Sequence, residues 1–134
     1  MPDQISEIHV RTAETSWIVE AKAVRIGTDI LVYIWGGERP HIGAVAAAQP
    51  RPSLADPDRR SATCSVLTFP GHKEDEVVKS VSERLSAALD THVVVTAGIH
   101  WDHLGAGEIG IIGVRIEEIT RQLTAKLQLK EPGR

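Results

Sequence analysis

Alternation of apolar and polar residues predicts strands in the first half of the chain. Residues 17–25 (WIVEAKAVR) alternate, as in a strand with one buried face. After a turn signal at 26–29, the continuous apolar run at 30–35 (ILVYIW) is typical of a strand covered on both faces and paired with its predecessor in a hairpin. The small residues at 44–48 have weak β-propensity and indicate one more short strand. Segment 49–62 carries three prolines among mixed charges, so we expect a flexible surface loop there.

The second half of the chain predicts a strand, a helix, a strand and a final helix. A short strand covers 63–69, and apolar residues at helical spacing predict a helix over 74–89 with acidic residues in its first turn. A second continuous β-run lies at 92–98. The glycine-rich stretch 105–113 does not match a dinucleotide-binding fingerprint and is interpreted as a flexible hinge. An amphipathic helix follows from 116 to about 129.

This order of elements predicts the fold class. We expect one α/β (α+β) domain over residues 1–134, a two-layer sandwich in which two main helices pack on a mixed β-sheet. If the strands at 63–69 and 92–98 are parallel in one sheet, the right-handed crossover rule places the loops that follow them at the same end of that sheet.

Composition narrows the function. The chain has 134 residues, of which 42% are hydrophobic, and a formal net charge of −3 without a basic stripe, which argues against nucleic acid and anionic membranes as partners. The N-terminal residues lack a basic and an apolar signal region, and no stretch is apolar enough to span a bilayer. A single cysteine, Cys64, excludes an internal disulfide and is interpreted as a buried structural thiol. A cytoplasmic protein is therefore expected.

Three loops carry candidate chemistry, and the first is Gly36–Gly43 (GGERPHIG). Adjacent glycines at 36 and 37 can adopt positive φ and turn their amides toward one point, where an anionic oxygen could bind. Pro40 stiffens the approach to His41. The plainer interpretation is a tight turn followed by a solvated histidine, because short glycine motifs are weak signals.

The second loop, Phe69–Asp75, leads from a strand end into a helix start. Free amides of a first helical turn attract phosphate or carboxylate, and His72 and Lys73 could assist. The acidic residues that follow would repel such an anion. In the plainer interpretation, Pro70 and Gly71 end the strand and His72 lies near the helix cap.

The third loop, Thr96–His103, follows an apolar strand. Gly98 permits close approach of a planar ligand, and His100, Asp102 and His103 are able to bind a metal or move a proton. An isolated H-x-D-H run is nevertheless not a zinc signature, so the metal interpretation is the less favoured one.

Taken in order and spacing, the motifs GG-x-x-PHIG, FPGH and TAGIH resemble the small prenylated-flavin chaperones, the D-type (LpdD-like) proteins associated with UbiD-type hydroxyarylic-acid decarboxylases. The resemblance covers roughly residues 17–127, and three motifs in register are more specific than any one of them. It implies a small α/β protein that binds prenylated FMN, or FMN, and delivers it to an apo-decarboxylase without being an enzyme itself. The segment 49–62 and the Asp102–His103 pair depart from the family pattern.

The resemblance also implies a set of cofactor-binding residues. The matched positions are Gly36, Gly37, Pro40, His41, Ile42, Gly43, Phe69, Pro70, His72, Thr96, Gly98, Ile99 and His100. As a hypothesis, the glycine amides and the imidazoles hold the flavin phosphate. Ile42, Ile99 or Trp101 would then cover the prenyl-modified ring system.

Two other functions compete with this interpretation. His41, His72 and His100 could form a three-histidine metal site with a water-filled position, which would make the protein a small metal-dependent enzyme. The chain could instead be a structural subunit of a decarboxylase that binds no flavin. A homodimer is also expected, with the apolar stripe of the last helix as its contact surface.

Overall fold

A computed structural model of the protein describes residues 6–69 and 74–129. The elements in this part of the chain, in order, are β1 (Glu7–Arg11), β2 (Val19–Ile26), β3 (Asp29–Gly37), β4 (Ala44–Pro52), β5 (Arg60–Thr68), α1 (Asp75–Leu89), β6 (Val93–His100) and α2 (Ala106–Leu129). None of the helices described in these two ranges is long and apolar enough to cross a membrane.

The strands form one mixed sheet in the order β1-β2-β3-β6-β4-β5. Strands β3 and β6 are parallel, and every other neighbouring pair is antiparallel. Because β4 lies between β5 and β6 and runs opposite to both, the unit β5-α1-β6 joins two parallel strands that are not adjacent. The carboxyl-terminal ends of β3, β5 and β6 therefore meet at one end of the sheet, which we call the loop end.

Both helices pack on the same face of the sheet, here called the covered face. Helix α1 contacts β4, β5 and β6, whereas α2 contacts β1 and β2. Residues at helical spacing on each helix meet alternate residues of the strands, and this closes a continuous apolar core. The fully buried members with the largest side chains include Ile34, Leu85, Ile119, Leu123 and Leu127. The two-layer α+β fold expected from the sequence is thus confirmed.

The expectation of a flexible loop over 49–62 was wrong. Strands β4 and β5 continue through this segment as a hairpin, with Pro50 opposite Ala62 and Pro52 opposite Arg60. The pairing of β4 with β6 ends at Ala48, so both prolines lie where β4 has one neighbour. A missing backbone N–H is tolerated at such an edge, and the turn itself is limited to 53–59.

The predicted hinge at 105–113 was also wrong, because α2 begins at Ala106 and includes these glycines. The backbone N–H of Ile109 donates to the carbonyl of Gly105, and the N–H of Gly105 donates to the carboxylate of Glu108. The short strand β1 was missed by sequence reasoning. Its signal is the alternation of buried Ile8 and Val10 with exposed neighbours.

Cys64 lies in the middle of β5, half-buried and packed against the core. Burial, followed by the charge of Glu83, raises the pKa of the thiol above its ordinary value. The protonated form therefore predominates at neutral pH, as expected for a structural cysteine.

Candidate functional site

The face of the sheet opposite the helices, here called the open face, carries a row of rings. On β3, Ile30, Val32 and Ile34 point into the core, whereas the alternate residues Tyr33 and Trp35 point outward and are half-buried. The Tyr33 and Trp35 rings stack with centroids 6.0 Å apart. The His9 ring also stacks with Trp35, with centroids 5.8 Å apart.

A cavity of about 540 Å³ lies on this open face beside the aromatic row. Its wall is mainly apolar, with one lysine among the side chains. The lining residues are Lys22, Leu31, Tyr33, Ile34, Trp35, Pro40, His41, Ile42 and Thr96. Four of the matched positions, Pro40, His41, Ile42 and Thr96, therefore line the cavity. The aromatic pair Tyr33 and Trp35 also lines the cavity and was not predicted as part of a site, although the two residues alternate with core residues within ILVYIW.

The segment 38–43 reaches the cavity because it lies directly over Gly98. A Cβ atom at Gly98 would be 1.5 Å from the carbonyl oxygen of His41, so only glycine fits beneath this segment. The N–H of Gly43 donates to the carbonyl of Ala97 at 2.9 Å and holds the end of the segment on β6. The first and third predicted loops thus come together at the loop end of the sheet.

His41 connects this segment to the start of α1. Its Nδ1 atom lies 2.9 Å from the carbonyl oxygen of Arg39, which can only accept, so this nitrogen donates. Its Nε2 atom lies 3.1 Å from Oε1 of Glu74. The same oxygen accepts a hydrogen bond from the N–H of Ile99 at 3.3 Å. Glu74 is buried, and its carboxylate contacts both the first and the third loop at the start of α1. The sequence had indicated only an acidic residue in the first turn of this helix.

The glycines at 36, 37 and 43 each lie in close contact with a neighbouring segment of the chain. Gly36 lies within β3, paired with Val19 on one side and Ile99 on the other. Gly37 has a φ of 88°, and a Cβ atom there would be 2.0 Å from the carbonyl oxygen of His100. At Gly43, a Cβ atom would be 2.2 Å from Glu74 Oε2. These positions end the strand and pack the loops, whereas the predicted contact of the Gly36 and Gly37 amides with an anion stays a prediction.

A polar cluster lies next to the cavity at the loop end. Arg39 Nη2 donates to Asp102 Oδ1 at 2.6 Å and lies 3.0 Å from His100 Nε2, which is itself 2.9 Å from the same carboxylate oxygen. The hydrogen bond with His100, and next the one with Arg39, hold the pKa of Asp102 below its ordinary value. Asp102 is therefore ionised at neutral pH. Arg39 was not singled out in the sequence.

A second cavity, of about 410 Å³, shares the lining residues Trp35 and Pro40 with the first. Trp17 and Trp101 line it and meet edge to face, with ring centroids 5.1 Å apart. Ile99 and Trp101 are both partly buried and pack against the hydrophobic core, but Ile99 lines neither of these two cavities.

The second predicted loop is described only in part. Pro70, Gly71, His72 and Lys73 lie outside the described residues, so the prediction for His72 stays a prediction. Within residues 6–69 and 74–129, no three His, Cys, Asp or Glu side chains are grouped as metal ligands would be. The structure thus adds no support for a three-histidine enzyme.

Comparison with known proteins identifies the family to which this chain belongs. The sequence profile of the family described as "Prenylated flavin chaperone LpdD-like domain" matches residues 13–128, nearly the whole chain. The chain belongs to this family, which confirms the resemblance seen in its three motifs.

The similarity extends to an individual protein. The chain is 25% identical to Protein LpdD of Lactiplantibacillus plantarum (strain ATCC BAA-793 / NCIMB 8826 / WCFS1) over 122 residues, which span 87% of this chain and 82% of that protein. Among solved structures, it is similar to a chain in "Crystal Structure of a Novel Chaperone Complex for Yeast 20S Proteasome Assembly". That match has a TM-score of 0.49 and 12% sequence identity, and it covers 89% of this chain and 98% of the other.

Proposed function

We propose that this protein binds prenylated FMN, or FMN itself, on its open face and delivers it to a UbiD-type decarboxylase, without catalysing a reaction. One observation carries the proposal. The apolar cavity joins the aromatic row of β3 to Pro40, His41 and Ile42, which belong to the motif that resembles the flavin chaperones.

The cavity fits the ring system of such a cofactor. Its volume of about 540 Å³ lies within the range of roughly 300–1,000 Å³ common for small-molecule sites. Tyr33 and Trp35 offer flat, half-buried faces, and a prenyl-modified isoalloxazine is a flat and largely apolar partner for them. Ile42 is 60% exposed and gains apolar contact when a ring covers it. The Lys22 side chain at the wall adds a hydrogen-bond donor for a ring carbonyl.

The position of the cavity suits a carrier. It opens on the uncovered face of the sheet, so a ligand held there keeps one side accessible to a partner. Partial burial limits the affinity, which favours release to an apo-decarboxylase with a deeper site. The chemistry that the cofactor supplies takes place on that partner, and this chain binds, orients and shields the ring.

Two further features of the proposal are a cytoplasmic location and a homodimer. The stripe expected to form the dimer, Ile116, Ile119, Leu123 and Leu127, is buried in the core of the chain itself, so that part of the expectation was wrong. The exposed large apolar side chains of α2 are Ile109, Ile111 and Val114 near its start and Leu129 at its end.

Binding is tested by anaerobic gel filtration with purified prenylated FMN. We expect flavin absorbance to co-elute with the protein, and Tyr33→Ala or Trp35→Ala to weaken binding at least about tenfold, since each removes a stacking surface. Leu67→Ala is the matched control, because Leu67 is exposed outside the cavity. A folded wild-type protein that never retains flavin would refute the proposal.

Delivery is tested by mixing the loaded protein with an apo UbiD-type decarboxylase. We expect decarboxylase activity to rise faster than with the same concentration of free cofactor, and the Tyr33→Ala variant to lose this advantage. Co-purification of the decarboxylase with flavin-free protein, together with no effect on loading, would favour a structural subunit instead.

A further inference from the structure

We infer that Arg39 and His100 form a subsite for the phosphate group of the flavin nucleotide, and that Asp102 occupies this subsite as an internal anion until the phosphate displaces it. The inference rests on the proposed function. It differs from the sequence-based hypothesis, which assigned the phosphate to the amides of Gly36 and Gly37.

The first argument is the chemistry of the cluster. A guanidinium group presents several N–H donors in one plane and binds carboxylate and phosphate oxygens in the same way. Arg39 already donates to a carboxylate oxygen at 2.6 Å. His100 Nε2 is within hydrogen-bond distance of both partners, but one nitrogen cannot donate and accept at once. Its geometry therefore suits one shared oxyanion better than the present pair of contacts.

The second argument is that the internal anion is easily replaced. The side chains of Arg39 and Asp102 are 67% and 43% exposed, so their ion pair is screened by solvent and contributes little to stability. A phosphate group carries more negative charge than a carboxylate and has more acceptor oxygens. Displacement therefore exchanges a weak exposed pair for a stronger one, while Asp102 becomes solvated.

The third argument is the position of the cluster relative to the cavity. Thr96 lines the cavity, and His100 follows on the same face of β6, four residues further toward the loop end. At about 3.3 Å per residue, their backbones are roughly 13 Å apart. Pro40 lines the cavity and directly follows Arg39 in the chain. A ring in the cavity with its ribityl chain directed to the loop end thus brings the phosphate toward Arg39.

The start of α1 is a less suitable place for the phosphate. The buried carboxylate of Glu74 and the first-turn acids Asp75 and Glu76 put negative charge at this helix end. Near the proposed subsite, Glu38 is the acidic neighbour in sequence, and its side chain is exposed to solvent. Of the start of α1 and the Arg39 cluster, the Arg39 cluster therefore has the charges that favour a phosphate.

The test compares prenylated FMN with prenylated riboflavin, which has the same ring system but no phosphate, in anaerobic fluorescence titrations. For the wild-type protein we expect tighter binding of the phosphorylated ligand. Arg39→Gln should reduce that preference about tenfold, and Asp102→Asn should increase it about threefold to fivefold, because the exposed internal competitor loses its charge. Neither variant should change the affinity for prenylated riboflavin.

Charge controls come from the β4–β5 turn, which lies at the other end of the sheet. Arg59→Gln and Asp58→Asn change the net charge in the same way as the two test variants and should leave the preference unchanged. Inorganic phosphate should compete with prenylated FMN and not with prenylated riboflavin.

The outcomes separate this inference from the proposed function. If wild-type protein binds neither flavin, the proposed function fails. If it binds both, but Arg39→Gln and Asp102→Asn leave the ratio of affinities unchanged, the subsite is refuted and the ring site stands. Loss of decarboxylase binding in Arg39→Gln with an unchanged ratio would assign the cluster to an acidic partner surface and would also refute the subsite.

Discussion

The two faces of the sheet are built from the same strands but differ in how far their apolar side chains are buried. On the covered face, alternate residues such as Val32, Ile34 and Val95 are almost completely buried beneath two helices. On the open face, the residues between them, Tyr33 and Trp35, remain half-exposed although they are large and aromatic. Both sets are largely apolar, but only the residues of the covered face are buried by the chain's own helices.

This difference separates stability from function. Burying apolar surface stabilises the fold in proportion to the area removed from water, and the covered face removes most of it. Large aromatic rings left on an uncovered face contribute less to folding, and a contiguous apolar surface is a common feature of binding sites. We therefore expect substitutions on the covered face to change stability, and substitutions on the open face to change ligand binding.

The largest effect should come from the core. Leu123 on α2 is fully buried, and Leu123→Ala should lower the free energy of unfolding by about 4 kcal/mol, through lost burial and the cavity left behind. Urea denaturation followed by circular dichroism measures this. The same substitution at Leu67, which is 58% exposed on the open face, should cost well under about 1 kcal/mol. Equal losses at the two positions would remove the contrast between the faces.

A smaller effect is expected where the first loop crosses β6. In Gly98→Ala, the new methyl group collides with the backbone carbonyl of His41, which lies in the segment between β3 and β4. We expect a loss of about 3 kcal/mol, at the upper end for overpacking, together with weakened flavin binding, because segment 38–43 must shift away from the cavity. A Gly98→Ala protein with wild-type stability and flavin affinity would show that this segment does not form the cavity wall.

Glu74 provides the next test, because it belongs to neither face of the sheet and its carboxylate connects the two loops at the loop end. Glu74→Ala removes the acceptor for the Ile99 N–H and the carboxylate beside His41, so we expect a loss of about 2 kcal/mol in unfolding free energy. Glu76→Ala, at an exposed position of the same helical turn, is the matched control and should have a much smaller effect. A similar loss in both variants would indicate that the helix dipole, and not the buried contact, explains the stability.

The contrast between the faces also explains which features the sequence could predict. Period-two and helical patterns record burial against the chain's own core, so β2, β3, α1 and β6 were predicted close to their observed bounds. The open-face aromatic pair was absorbed into a strand assumed to be covered on both sides, because apolar residues look the same whether a helix or a ligand covers them. Nothing local in the sequence marks Arg39, whose partner is 63 residues away.

Errors arose where local propensity and tertiary context disagree. Prolines at 50 and 52 indicated a loop, yet they fit the free edge of β4. Glycines at 107, 110 and 113 indicated a hinge, yet α2 continues through them, since Ile112 packs against the core and Ile116 anchors the next turn. The first and third motifs lie together at the loop end, because parallel strands such as β3 and β6 end at the same edge of a sheet, although the sequence did not predict the order of the strands.

The smallest effect expected, and one of opposite sign, concerns these helical glycines. A Cβ atom at Gly110 meets nothing within 4 Å, so Gly110→Ala adds helix propensity without a collision and should raise the unfolding free energy by about 0.5–1 kcal/mol. Gly27 is the matched control: it has equally open surroundings but a φ of 63°, so Gly27→Ala should destabilise. Thermal denaturation of Gly110→Ala, Gly27→Ala and Gly98→Ala separates the effect of steric collision on stability from the effect of backbone conformation. A Gly110→Ala protein that is less stable than wild type would mean that this side of α2 is already in contact with another surface, such as a second copy of the chain.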